Sequence, residues 1–144
     1  MYVSTYFMRK IITILILTLA TSSFGQKQGH YYRFSSASKN IDSVKSISIY
    51  CMDANRMRTD GCDSLPEDID KFYNLRVLNI SESRIKTLPN SIKNLKILKE
   101  ISLDRLINFN YNSELCKLKE LDSLEFLGLW MAGIKNLPNC ISEI

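Results

Sequence analysis

The sequence predicts an α/β repeat fold about four coils deep, in which each coil contributes one short strand to a shared buried face. Three observations predict it. Residues 75–98 read LRVLNISESRIKTLPNSIKNLKIL, with apolar side chains at Leu75, Leu78, Ile80, Ile85, Leu88, Ile92, Leu95 and Leu98. That spacing matches neither the helical period nor simple strand alternation; Leu75-x-x-Leu78-x-Ile80 is one short strand entering a buried face, followed by a coil returning across a second face. Shifting the frame by 23 residues carries Leu75, Leu78 and Ile80 onto Leu98, Ile101 and Leu103, and a further shift with three inserted residues carries these onto Leu124, Leu127 and Leu129. Finally, one return element recurs in phase, as Leu65-Pro66-Glu67-Asp68-Ile69, Leu88-Pro89-Asn90-Ser91-Ile92 and Leu137-Pro138-Asn139-Cys140-Ile141.

This combination resembles the leucine-rich repeat family, in the version of about 23 residues per unit whose return limb carries Leu-Pro-x-x-Ile. The resemblance covers the chain from about Val44 to the end, and with the leader described below it points to an exported bacterial member. It implies a right-handed superhelical solenoid with short parallel strands on a concave face, and a role in binding rather than catalysis. The fold alone does not name the partner.

The leader comes first in the chain. Arg9 and Lys10 precede an apolar run over residues 11–20, and Ser23-Phe24-Gly25 places small residues before a cut after Gly25, so residues 1–25 read as a secretory signal peptide. Met8 offers an alternative start. The run is about ten residues, against the roughly twenty that a spanning helix needs, so no stable membrane insertion is expected once the leader is removed. No cysteine follows the run to take a lipid, and the expected location is secreted, periplasmic or at the cell surface.

Residues 26–43 carry an aromatic knot, His30-Tyr31-Tyr32-Arg33-Phe34, and then a polar stretch through Asn40. They are expected to cap the first coil, with a helical turn over residues 36–40. The repeat domain spans residues 44–144, and its first strand begins with Val44-x-x-Ile47-x-Ile49. An insertion over residues 51–64 holds Asp53, Asp60 and Asp63, but Met57, Arg58 and Thr59 break the alternation of oxygen ligands that a calcium loop requires. It reads as a surface loop. The second unit starts at Leu75, the third at Leu98 with an insertion over residues 108–113, and the fourth at Leu124. One position departs from the family. Asparagine, which bonds the turn backbone in regular units, is replaced by Met52, Ser83, Leu106 and Ala132, so looser turns are expected there.

Four cysteines in an exported chain suggest disulfides. Cys51 and Cys62 flank the first insertion, and a staple there is worth about 3 kcal/mol by loop-closure entropy. Cys116 and Cys140 lie on consecutive return limbs but two positions out of phase, so spacing allows their pairing without requiring it. No metal is expected, because there is no Cys-x-x-Cys and His30 is the lone histidine.

Function classes narrow accordingly. Nineteen basic residues stand against 15 acidic ones, a net +4; without Arg9 and Lys10 the balance is 17 against 15, or +2, which gives no electrostatic case for nucleic acid. There is no Gly-rich phosphate loop, no Gly-x-Ser-x-Gly, no histidine near a nucleophile, and no sign of a cofactor. Glu100 and Asp104 could pair for glycoside hydrolysis, but two solvated charges on an open face lack the cleft that such chemistry needs. No catalytic residue is expected.

Residues between the inward leucines should point outward, which gives Ser46, Ser48, Tyr50 and Cys51; Val77, Asn79, Ser81 and Glu82; Glu100, Ser102, Asp104 and Arg105; and Phe126, Gly128, Trp130 and Met131. Tyr50 and Trp130 share a column that brackets Ser81 and Asp104, and aromatics around charge are common at binding surfaces. The expected ligand-binding residues are Tyr50, Glu82, Glu100, Asp104, Arg105 and Trp130. Four strands about 4.8 Å apart give a face of only a few hundred Å², against the roughly 800 Å² that each partner buries in a stable complex. A short peptide, a glycan or a protein also touching the rims would suit it. The alternative is a structural or adhesive piece, or part of a longer array, that associates through its ends, since Leu127, Leu129, Ile134, Leu137 and Ile141 lie at an uncovered C-terminal edge.

Overall fold

The computed structural model describes residues 28–49, 51 and 61–143. The leader, Met8, Tyr50, Met52 and the loop residues Asp53, Met57, Arg58, Thr59 and Asp60 lie outside the described residues.

Five strands form one all-parallel sheet in chain order: β1 (His30–Tyr31), β2 (Ser46–Ser48), β3 (Val77–Asn79), β4 (Glu100–Ser102) and β5 (Phe126–Gly128). Ile47, Leu78, Ile101 and Leu127 are successive register partners, so the offsets of 23 and 26 residues between leucines are also the offsets of the ladder. Parallel neighbours need a long return between them. Here the returns are short 3₁₀ turns, at Ile69–Lys71, Asn90–Asn94, Leu115–Glu120 and Asn139–Glu143, which pack on one another in the same order as the strands.

The local chemistry of the return element explains its recurrence. The carbonyls of Pro66, Pro89 and Pro138 accept from the amides of Ile69, Ile92 and Ile141 at 3.2, 3.1 and 3.0 Å, closing the turn that brings each isoleucine inward. A proline fits the first place because it donates nothing and fixes φ. A second i to i+3 bond precedes each strand, from Val44, Leu75, Leu98 and Leu124 to Ile41, Phe72, Leu95 and Leu121. Between sheet and turns lies one apolar interior, in which Ile47, Ile69, Leu75, Leu78, Ile80, Ile92, Leu98, Ile101 and Leu103 are sealed from water.

The N-terminal segment differs from a simple cap, because His30–Tyr31 pairs in parallel with Ser46–Ile47 and makes one strand more than the four counted from the leucines. Its hydrogen bonding follows the rule of the other strands. One carbonyl accepts two successive amides at each strand start: Gly29 from Lys45 and Ser46, Lys45 from Arg76 and Val77, Arg76 from Lys99 and Glu100, and Lys99 from Glu125 and Phe126. Gly29 has φ +87°, and a Cβ there would stand 2.6 Å from the Ser43 carbonyl oxygen, so glycine is required. A short helix α1 (Phe34–Ala37) follows, two residues earlier than the expected turn, and its Phe34 ring packs 6.0 Å from that of Phe72.

Two of the turn positions that lack asparagine, Ser83 and Leu106, are satisfied in different ways. Buried Ser83 accepts the Ile85 amide at 3.4 Å. Behind Leu106 the work is done by Tyr111, which opens helix α2 (Tyr111–Glu114): its hydroxyl donates to the Leu103 carbonyl at 2.7 Å and accepts the Leu106 amide at 3.2 Å. The turn there is therefore closed rather than loose. One residue group further along, buried Glu114 accepts the Leu88 amide at 2.7 Å, and Lys117 donates to the Leu88 carbonyl at 2.6 Å while pairing with Glu114 at 2.9 Å. Among the described residues no buried side-chain nitrogen or oxygen lacks a partner.

Both cysteine pairs are disulfides, Cys51 to Cys62 and Cys116 to Cys140, with Cα separations of 5.6 and 5.4 Å. Among the described residues no helix is long and apolar enough to cross a membrane.

Candidate functional site

The outward residues fall into columns fixed by the ladder. Ser46, Val77, Glu100 and Phe126 form one, and Ser48, Asn79, Ser102 and Gly128 the next. The ladder continues past the strands through Ile80 to Ser102, Leu103 to Gly128, Glu82 to Asp104 and Arg105 to Trp130, at 2.9–3.1 Å. This extension aligns Ser81, Asp104 and Trp130, and then Glu82, Arg105 and Met131. The last three share one backbone state, with φ of 57°, 53° and 53°, the left-handed conformation that turns each coil off the sheet. It costs a non-glycine residue about 1 kcal/mol or more, and it holds each side chain at the same rim.

Asp104 is the centre of the arrangement. One carboxylate oxygen accepts the Trp130 amide at 2.7 Å and the other accepts the Ser81 hydroxyl at 3.2 Å, while Ser81 Oγ in turn accepts the Asp104 amide. Asn79 Oδ1 accepts the Ser81 amide at 2.9 Å, so the chain of polar contacts runs from β3 to the last coil. These bonds set the backbone from which the Trp130 ring projects. The Arg105 guanidinium carbon lies 5.5 Å from the centre of that ring, and its Nη1 is 3.0 Å from Glu82 Oε1. An exposed stacked cation contributes about 0.5–1 kcal/mol. Trp130 remains 63% exposed, beside Met131 at 65% and Phe126 at 54%.

Gly128 lets this surface close. A Cβ there would stand 3.0 Å from Asp104 Oδ1, 3.2 Å from Ser102 Oγ and 3.3 Å from a Phe126 ring carbon. With no side chain in the way, the Phe126 ring leans over the glycine and the Asp104 carboxylate reaches in close to it.

Of the six expected binding residues, Glu82, Asp104, Arg105 and Trp130 come together. Glu100 makes none of these contacts but is exposed on the same face, beside Phe126 in register; Tyr50 lies outside the described residues. Phe126 is the member of the surface that the expected set omits, although its alternation with Gly128 and Trp130 places all three on one face. A separate open groove of about 740 Å³ lies between residues 109–112 and 132–139 and takes in none of the six. Among the described residues no three His, Cys, Asp or Glu side chains are grouped to hold a metal ion.

Burial raises the Tyr111 hydroxyl above the usual tyrosine value; the bond to the Leu106 backbone opposes this, and the nearby Asp104 charge adds to it. The phenol therefore stays protonated in its double role. No protein-family model matches the chain, and no curated protein matches it.

Proposed function

We propose that this chain is an exported, non-catalytic binding module, a small leucine-rich repeat solenoid that takes a peptide, a glycan or a protein surface on the outward face of its sheet. The solenoid reading is supported by the in-register parallel strands, the recurring Pro-to-Ile turns and the shared interior. Export is supported by the leader in the sequence and by two disulfides, which persist in oxidising compartments. The observation that carries the binding reading is Trp130: a large exposed ring is held by a stacked arginine, which is itself held by Glu82, and its backbone is held by Asp104. Side chains fixed in this way lose little freedom when a ligand arrives. Screening the mature chain on peptide and glycan arrays tests it. Binding that disappears in Trp130→Ala and Arg105→Ala, with an unchanged association state, is expected; binding indifferent to both overturns the assignment of the face.

A second reading, assembly through the ends, is favoured by the half-buried state of Leu124, Leu127, Leu129, Ile134 and Ile141 in the last coil. It predicts the reverse for the same two variants. Light scattering at micromolar concentration distinguishes them, and a monomer at all concentrations counts against self-association.

A further inference from the structure

The surface of β5 has a composition that narrows the ligand class within the binding reading just given, on which this inference rests. Phe126 and Trp130 are both exposed, on either side of Gly128 along the chain. Between them stand the Asp104 carboxylate and the Ser102 hydroxyl, both within 3.2 Å of where a Gly128 Cβ would be. We propose that this strand is a stacking platform for a neutral oligosaccharide, with the Phe126 and Trp130 rings under the C–H faces of sugar rings, Asp104 and Ser102 bonding the hydroxyls between, and Asn79, two strands further in, bonding a hydroxyl that reaches across the sheet.

Three features favour a sugar over a peptide. The outward face of a sheet presents side chains, because backbone amides and carbonyls lie in the plane of the sheet, so an extended peptide crossing that face would leave its own main chain unpaired; only the outer edge of β5 keeps such groups. Sugar hydroxyls both donate and accept, and they match what the face does offer: carboxylate oxygens with a second lone pair each, a serine hydroxyl, and the amide nitrogen of Asn79, whose oxygen is already committed to Ser81. The aromatic rings supply apolar area at low entropic cost, with no long side chain to immobilise. Neutrality follows from the neighbours. Glu100 is the register partner of Phe126 and Asp104 lies between the rings, while Arg105, the cation over the Trp130 ring, is already paired with Glu82, and Lys99, next to Glu100, with Glu125. An anionic sugar would meet repulsion there.

The chain contains one tryptophan, so Trp130 emission reports this platform alone. The mature protein is titrated with cellohexaose, mannohexaose and N-acetylchitohexaose, with hexagalacturonate as the anionic control and a displayed peptide library in parallel. A saturable emission change with at least one neutral hexamer, and not with hexagalacturonate, is expected. Phe126→Ala should then weaken it by about three- to tenfold, the loss of one aromatic stacking contact. Ser102→Ala, which leaves the rings in place and the fold intact by thermal melting, should also weaken it. No response to any neutral hexamer overturns the sugar assignment, as does binding indifferent to Phe126→Ala. In that event, library peptides whose binding is lost in Trp130→Ala leave the wider binding reading standing, and the absence of any peptide as well overturns both.

Discussion

The two ends of the sheet are built from the same coil and end in different states. At the N-terminal end β1, α1 and Phe34 cover the first leucine layer, and Val44, Ile47 and Ile49 are fully buried. At the other end the equivalent Leu124, Leu127 and Leu129 are only half-buried, and Leu137 is exposed. The inward pattern is identical, so the difference arises from neighbours and not from the residues themselves. β2 is flanked by β1 and β3, whereas among the described residues β5 has β4 as its one strand neighbour, and a layer packed on one side buries less of the same side chains.

The largest effect expected from this contrast is in the core column. Ile101→Ala should cost about 2–5 kcal/mol, because a fully buried side chain leaves a cavity as well as losing its transfer energy. Leu127→Ala, one strand further in the same column, should cost roughly half as much, since part of its surface is already wet. Denaturant unfolding of the two variants checks this. Equal losses would mean that the last coil is packed as tightly as the third and that the contrast between the ends is false.

The second device acting on the weaker end is covalent. Cys116 to Cys140 joins the return limbs of the third and last coils across 24 residues, whereas Cys51 to Cys62 closes only 11. Replacing Cys116 and Cys140 together by serine should cost about 2–4 kcal/mol. Amide exchange should quicken first in residues 124–141. Intact mass with and without reductant tests both bonds, and four free thiols in the native protein would refute them.

A smaller effect is expected one coil inward, where Tyr111 stands in for the missing asparagine. Tyr111→Phe leaves the Leu106 amide and the Leu103 carbonyl without a partner, which should cost about 1–3 kcal/mol. The same hydroxyl gives a pH signature. Its folded value is raised, chiefly by burial, so the unfolded chain gives up the proton first. The stabilisation is whole below the free-tyrosine value of about 10 and is lost as pH climbs through the folded value. Melting temperatures measured upward from about pH 9 should fall faster in the native chain than in Tyr111→Phe.

These cases mark what could be read in the sequence. The ladder register was legible because each inward leucine sits at a fixed offset from the strand start, and the same offsets pair Leu78 with Ile101 and Leu127. The Cys51 to Cys62 bond was legible because both cysteines flank one loop. Tyr111, Glu114 and Lys117 were not, because they come from an insertion of irregular length and act on backbone groups 5–29 residues away, with no period to announce them. β1 was missed for a related reason: His30–Tyr31 carries no leucine, and its membership shows only in the Gly29 carbonyl that accepts two amides as Lys45, Arg76 and Lys99 do. Phe126 was visible as an outward residue, but its lean over Gly128 depends on contacts that spacing cannot express.

The smallest effect on stability is expected at the rim, and it separates holding the fold from holding the surface. Arg105 is about half exposed, and so is its partner Glu82, so solvent screens their attraction and the pair contributes little to folding. Arg105→Ala should shift unfolding by about 1 kcal/mol, the combined size of a weak ion pair and an exposed cation over a ring. The Trp130 backbone should not move, because Asp104 still accepts its amide. Only the indole loses its stacked neighbour. Time-resolved anisotropy of the single tryptophan should therefore show a freer ring in Arg105→Ala at almost unchanged stability, while Asp104→Ala should loosen both the ring and the last strand. Equal anisotropy in the native chain and Arg105→Ala would mean that the guanidinium does not hold the ring, and the open end of the sheet would then have an aromatic surface with nothing to fix it.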